Sequence, residues 1–170
     1  YHNALKALER INTLLVLKQE DVGLHLKNPF LKTHTNAIDV KNLSFGYDNT
    51  KKVLEDITLH IPKGAKVAII GASGSGKTTL AHLLVGLYPL QEGEILFDGI
   101  SSHEIGLDVI REHLFLVLQY PQLFNASLAQ NLMIDATKDS LNVEKALEMA
   151  QLQEWVQTLP NGLETQIGKH

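Results

Sequence analysis

The chain contains no cysteine. Disulfides, thiolate zinc sites, iron–sulfur ligation and cysteine nucleophiles are excluded with it. It also lacks a long apolar run: no stretch nears the ~18–20 residues that a membrane-spanning helix needs, and the first residues show no secretory pattern. Basic residues are not in excess. Lys and Arg number 15 against 19 Asp and Glu, a formal net charge of -4, so the charge balance gives no support to nucleic acid as a partner. Aromatic residues are few, at 6%, while apolar residues reach 44% of 170. That length and content suit one domain, or one domain with a short appendage, with enough apolar surface for a sizeable core. The chain begins without methionine and its last element has no stop signal, so it reads as a piece of something larger. There is no internal repeat and no low-complexity segment.

Leu5, Leu8, Ile11, Leu14 and Leu15 recur at spacings of three and four, which predicts a helix over 1–18, packed on a core. Residues 27–36, with a proline, two threonines and an asparagine, read as a linker, and the domain boundary is placed there. Strands are expected at 37–45 and 53–61, separated by a turn at Asp48-Asn49-Thr50. The short apolar runs 66–70 and 114–118 read as strands covered on both faces. Another strand at 93–97 is closed by Asp98-Gly99. Helices are expected at 78–87, 126–132 and 142–156, the last capped by Asn142, with one or two helical turns at 107–112. This mixed order predicts an α/β fold with antiparallel strands near its start.

The strongest motif is Gly71-Ala72-Ser73-Gly74-Ser75-Gly76-Lys77-Thr78, which fills every fixed position of G-x-x-x-x-G-K-[ST]. An expected strand enters it and an expected helix leaves it. Its glycines permit a tight turn whose backbone N–H groups converge on phosphate oxygens, and the helix start adds unpaired donors. Lys77 is expected at the β and γ phosphates and the Thr78 hydroxyl at Mg²⁺. Ser75 and Thr79 are expected as supporting polar contacts. A chance glycine-rich turn would rarely have both neighbouring elements. The motif alone suits a small-molecule kinase, a GTPase or a motor ATPase equally well.

Around it stand Phe45-Gly46-Tyr47, the run Val53 to Ile57, the stretch Gly93 to Gly99, Gln119 to Phe124, and the closing Leu159 to Gly168. Together with the phosphate loop these resemble the nucleotide-binding domain of ABC transporters, over about Ile38 to Lys169. The resemblance implies a P-loop NTPase of α/β class, an ABC-type ATPase core with an antiparallel β subdomain. It implies that Tyr47 stacks on the adenine of ATP, and that Gly71, Ser73, Gly74, Ser75, Gly76, Lys77, Thr78 and Thr79 hold the phosphates. Gln119 is then the loop glutamine that meets Mg²⁺ and the surroundings of the attacking water. Lys77 and Gln119 are the catalytic candidates, and Thr78 and Gln119 the metal ligands. Residues 1–36 look like the cytoplasmic end of a last transmembrane helix and its linker, as in exporters that fuse membrane and ATPase domains. Residues 37–170 are then a partial ATP-binding domain, with a core at about 37–124 and the start of a helical subdomain at about 125–170. The implied partners are a second nucleotide-binding domain, head to tail, and the transporter's transmembrane domains, at the cytoplasmic face of the cell membrane. Similarity to bacteriocin exporters suggests a peptide cargo.

By the same resemblance the chain is truncated before the signature loop, and the second acidic motif, its catalytic glutamate and the switch histidine come later still. Ile95 to Asp98 and Leu132 to Asp135 offer no Asp-Glu pair, the first reading as a strand and turn. His170 is not taken as the switch histidine, and His60, His82, His103 and His113 share no ligand spacing. In the resembled fold the acidic-motif strand lies beside the phosphate-loop strand, so its loss would expose apolar edges and leave this stretch marginally stable by itself. Two other readings compete: a catalytically degenerate regulatory module, and a small-molecule P-loop kinase. The kinase should have lid arginines, and Arg111 is the only arginine after the phosphate loop.

Overall fold

The computed structural model describes residues 2–16, 20, 24–31, 35–48, 51–134 and 140–168. Asn49, Thr50, Asp135, Lys169 and His170 lie outside them, so the second half of the expected turn, the second acidic-motif candidate and the terminal histidine are not described. The chain divides into two compact units, residues 1–116 and 117–170.

The first unit is built on an antiparallel sheet in the order β2-β1-β3-β4. Its strands are β1 (Ile38–Phe45), β2 (Leu54–Ile61), β3 (Glu92–Phe97) and β4 (Ile100–Ser101). The expected antiparallel strands are thus present, with boundaries shifted by a residue. The apolar residues of β1 change parity, from Val40 to Leu43 and Phe45, yet all three are buried. A plain strand would turn one set to solvent. The register shift between Val40 and Leu43 against β2 reconciles them. Asn42 within that shift adopts φ 48°, as does Asp56 of β2 in a second shift between Leu43 and Phe45, and the Asn42 side-chain amide donates to Asp56 Oδ1 at 2.8 Å. Gly93 of β3 passes so close to this irregularity that a Cβ would sit 2.5 Å from the carbonyl oxygens of Lys41 and Asn42.

β3 and β4 join through Asp98-Gly99, both at positive φ, the two-residue hairpin turn expected from the sequence. Asp98 also ties the segment before β1 to the turn. Its carboxylate accepts from Ala37 N (2.9 Å) and Asn36 Nδ2 (2.7 Å), and pairs with Lys63 at 3.0 Å. These contacts, led by the Ala37 backbone N–H and opposed by partial desolvation, hold its carboxyl below the ordinary value.

Among the described residues this unit has four α-helices: α1 (His2–Leu15), α2 (Lys77–Leu84), α3 (Ser102–Ile105) and α4 (Leu107–His113). Leu80 and Leu83 of α2 pack with Val40, Leu43, Phe45, Ile95, Phe97, Ile105 and Ile110 in one core. Each such side chain removed from water contributes about 1.5–3 kcal/mol. The expected linker supplies part of this core: Phe30, in a short 3₁₀ turn, is buried, with its ring 5.6 Å from Phe97 and stacked on His113 at 4.6 Å. Just before it, Leu24 and Leu26 donate backbone hydrogen bonds to the His103 and Glu104 carbonyls. Lys27–Glu104 (3.2 Å) and Arg111–Glu20 (2.5 Å) add ion pairs. Helix α1 forms as expected, but Leu8, Ile11 and Leu15 are exposed rather than packed on a core.

Two expected strands are absent. Residues 65–70 and 114–118 are in neither helix nor strand. Val67, Ile69 and Ile70 are exposed, Ile70 to 92%, as are Phe115, Val117 and Leu118. Their composition suits strands covered on both faces, but a strand exists only through its ladder, and among the described residues no neighbour pairs with either run.

Among its described residues the second unit has a two-stranded pairing of β5 (Ala126–Ser127) with β6 (Gln166–Ile167) and three α-helices, α5 (Leu128–Leu132), α6 (Ser140–Met149) and α7 (Gln153–Thr158). The helix expected from 126 begins at 128, because Ser127 is its cap: Ser127 Oγ accepts from Gln130 N while Gln130 Oε1 accepts from Ser127 N. The helix expected over 142–156 is two helices. Asn142 lies inside α6 rather than capping it, and Gln151, at φ 56°, ends that helix. Leu128, Val143, Leu147 and Val156 form this unit's core.

Candidate nucleotide site

Ala72 to Ser75 make a tight turn, with Ser75 N donating to Ala72 O at 3.3 Å. Gly74 (φ 79°) and Gly76 (φ 88°) take the left-handed conformations that the turn needs. At Gly76 there is no room for a side chain either: a Cβ would lie 2.5 Å from Leu54 Cδ2. Helix α2 starts directly at Lys77, with Gly76 as its N-cap and no side chain capping it. Its first N–H groups are therefore left without a side-chain acceptor at the loop.

Lys77 folds back over the turn. Its ammonium donates to Gly71 O (2.9 Å), Ala72 O (2.6 Å) and Ser75 Oγ (3.2 Å), which uses all three of its donors. Ser73, Gly74, Ser75 and Thr78 are exposed, while Thr79 is buried. A cation thus sits at the mouth of an exposed loop of backbone amides, next to a helix N-terminus. That donor set fits a polyphosphate, and the Thr78 hydroxyl in the first turn adds an oxygen of the type that Mg²⁺ prefers.

Tyr47 comes to the same place from a distant part of the sequence. Its hydroxyl is 2.9 Å from Thr79 Oγ1. Its ring, 56% exposed, meets Phe45 and Tyr88 edge-on, both with centroids at 5.3 Å. The ring is therefore restrained by its hydroxyl and by two near-perpendicular aromatic neighbours, and more than half of the residue stays exposed.

The residue before Tyr47 is gripped as well. Gly46 N donates to Gln91 Oε1 at 2.9 Å, and Gln91 Nε2 donates to Gly46 O at 2.8 Å. A Cβ on Gly46 would lie 2.4 Å from Lys51 O. Sequence reasoning missed Gln91 and Tyr88. Gln91 belongs to no motif, and only the sheet brings it beside Gly46.

Gln119 lies in the second unit, exposed, in a bend with Tyr120. Phe124, at the end of that loop, is gripped by Asn131: Phe124 N donates to Asn131 Oδ1 at 2.8 Å and Asn131 Nδ2 to Phe124 O at 3.0 Å. Among the described residues no group of His, Asp and Glu could hold a metal by itself, and none of the helices is long and apolar enough to cross a membrane.

Residues 54–167 match the ABC transporter family. Over 139 residues, 80% of its length, the chain is 38% identical to an ATP-dependent lipid A-core flippase of Pseudomonas aeruginosa and covers 23% of that protein. It is 33% identical over 175 residues to a mitochondrial iron-sulfur clusters transporter, atm1, of Aspergillus fumigatus, covering 99% of this chain and 24% of that one. Among solved structures, a bacterial Atm1-family ABC exporter with ATP bound superposes with a TM-score of 0.83 at 28% identity, over 99% of this chain and 29% of that chain. The chain spans about a quarter of the length of these relatives, whose names refer to a lipid and to iron–sulfur clusters rather than to peptides. With the antiparallel sheet, the phosphate loop and its helix in place, the match over more than half of its length means that the chain belongs to the ABC transporter family, as a nucleotide-binding domain of P-loop α/β class homologous to those of exporters.

Proposed function

We propose that this chain is the ATP-binding part of an exporter ATPase, which couples binding and hydrolysis of Mg²⁺-ATP to movement of a cargo across a membrane. The observation that carries the reading is the joining of two nucleotide-facing features by the Tyr47–Thr79 hydrogen bond: an open aromatic ring stands beside an exposed phosphate loop. Adenine stacks on Tyr47. The N–H groups of residues 71–76 and the start of α2 receive the phosphates. Lys77 exchanges the carbonyls of Gly71 and Ala72 for β and γ phosphate oxygens, so its charge is already at the mouth of the loop before ligand arrives. Ser73 and Ser75 support the loop. Thr78 would hold Mg²⁺, which would neutralise charge on the phosphates, and for Gln119 we retain the metal-facing role that the family resemblance implies.

Residues 37–170 form part of an ATP-binding domain, and residues 1–36 continue from a transmembrane helix. The domain works head to tail with a second such domain, against transmembrane domains, at the cytoplasmic face of the membrane. The cargo proposed from the resemblance is a peptide.

The test is ATP binding and turnover by the intact protein beside Lys77→Ala. Loss of turnover, with ATP affinity lowered at least about tenfold, is expected from removing a charge-assisted contact. Unchanged binding in Lys77→Ala would overturn the phosphate-loop assignment. Binding without turnover in the parent would leave a regulatory nucleotide module instead of an ATPase.

A further inference from the structure

We propose that Gln91 is a positioning residue for nucleotide: its carboxamide sets the backbone on which Tyr47 is presented to the base. The inference rests on the reading of Tyr47 as the adenine platform. Gln91 stands directly before β3, where the β1–β3 ladder has reached its end at Ser44↔Glu92. Beyond that pair β1 has no further backbone partner in β3. Gln91 extends the ladder with its side chain, accepting from Gly46 N and donating to Gly46 O as a neighbouring strand would. On the other side, Val53 N donates to Phe45 O at 2.7 Å. Gly46 is thus fixed from β3 by a side chain and crowded by the Lys51 carbonyl, which leaves no space for a Cβ. Tyr47 follows immediately, with its hydroxyl on Thr79 and its ring near-perpendicular to Phe45 and Tyr88. Only a carboxamide performs this double role. A carboxylate cannot donate to Gly46 O, and an aliphatic side chain does neither. Gln91 touches neither phosphate nor base in this account; it acts through Gly46.

The experiment uses the intact protein without Mg²⁺, so that no turnover consumes the ligand. Calorimetry compares ATP with inorganic tripolyphosphate for the parent, Gln91→Leu, Gln91→Glu, Tyr47→Ala and the double variant Gln91→Leu/Tyr47→Ala. Gln91→Leu loses both hydrogen bonds, and Gln91→Glu keeps the acceptor for Gly46 N but sets a carboxylate against Gly46 O; with the ring misplaced, each should weaken ATP by about three- to tenfold, with tripolyphosphate affinity unchanged. The double variant should bind ATP no more weakly than Tyr47→Ala alone, because both changes remove one contact. In turnover assays with Mg²⁺ the loss should fall on KM rather than kcat. If Tyr47→Ala weakens ATP but both Gln91 variants match the parent, the Gln91 inference is overturned and the adenine reading stands. If Tyr47→Ala itself leaves ATP unaffected, the adenine reading fails and the inference with it. Equal loss of ATP and tripolyphosphate, or a drop in melting temperature without a change in ATP affinity, would reduce Gln91 to a structural role and also overturn it. Should Gln91→Leu not fold, the nearly isosteric Gln91→Glu decides.

Discussion

β1 and β3 carry much the same apolar side chains as the runs 66–70 and 114–118, but their surroundings are opposite. Val40, Leu43, Ile95 and Phe97 are all but sealed from water, with β1 paired on both sides. Val67, Ile69, Ile70, Phe115, Val117 and Leu118 are exposed, and no strand pairs with their backbones among the described residues. The difference does not lie in β propensity, since both groups are rich in Val, Ile, Leu and Phe. It lies in the neighbour. A backbone left without a ladder keeps its hydrogen bonds to water, and its apolar side chains then have no second layer to enter. The phosphate loop hangs between these regimes: its entering segment is bare, while its leaving helix α2 is anchored through Leu80 and Leu83.

Hydrogen exchange should widen this contrast most. Amides of β1 should exchange more slowly than those of 66–70 and 114–118 by orders of magnitude, because protected amides open only at a cost near global unfolding. Equal protection would mean that the bare runs find a partner in solution. Truncation is the next test. Phe97→Ala should cost about 3–5 kcal/mol in denaturant unfolding, whereas Ile70→Ala, at an exposed position, should stay within about 0.5 kcal/mol. A large effect at Ile70 would break the comparison. In the second unit, Ser127→Ala removes one half of the reciprocal cap of α5 and should cost about 1 kcal/mol, seen as a lower midpoint with an unchanged denaturant slope.

The smallest expected effect is a pH dependence seated in the paired region. The Asp98 carboxyl titrates below its ordinary 3.8, chiefly because Ala37 N–H binds the ionised form. The unfolded state therefore takes up a proton first. The stabilisation is fully present above pH 3.8 and is lost as the pH falls through the lower folded value. Asp98→Asn should flatten this part of the stability–pH curve below pH 4 and leave the bare runs as they were; an identical acid limb in both proteins would show that other carboxylates carry it.

Both units use one further device. Gln91 grips the N–H and C=O of Gly46, and Asn131 does the same to Phe124. In each case a side-chain amide replaces a backbone neighbour at a loop bearing an expected site residue, Tyr47 or Gln119. No periodicity reveals such a grip, because the partners are 45 and 7 residues apart and belong to no repeating pattern.

Legibility followed locality. The loop Gly71–Thr78 was readable because its glycines, lysine and hydroxyls act within one turn. The Asp98-Gly99 hairpin was readable because two residues at positive φ suffice to make it. The end of the long helix expected over 142–156 was misplaced, because apolar spacing continues across the break at Gln151. Ser127 was absorbed into a helix that it caps, since its role depends on a reciprocal bond with Gln130.

The amino-acid sequence by itself determined the family, the phosphate loop, the hairpin turn and the types of most elements, because each is encoded in residues a few positions apart. Tertiary structure alone decided which apolar runs became strands, how Val40 and Phe45 share one face, and how Tyr47, Thr79, Tyr88 and Gln91 meet. The physical reason is that ladders, bulges and side-chain grips are satisfied between distant residues, and a donor's identity does not say where its acceptor will be.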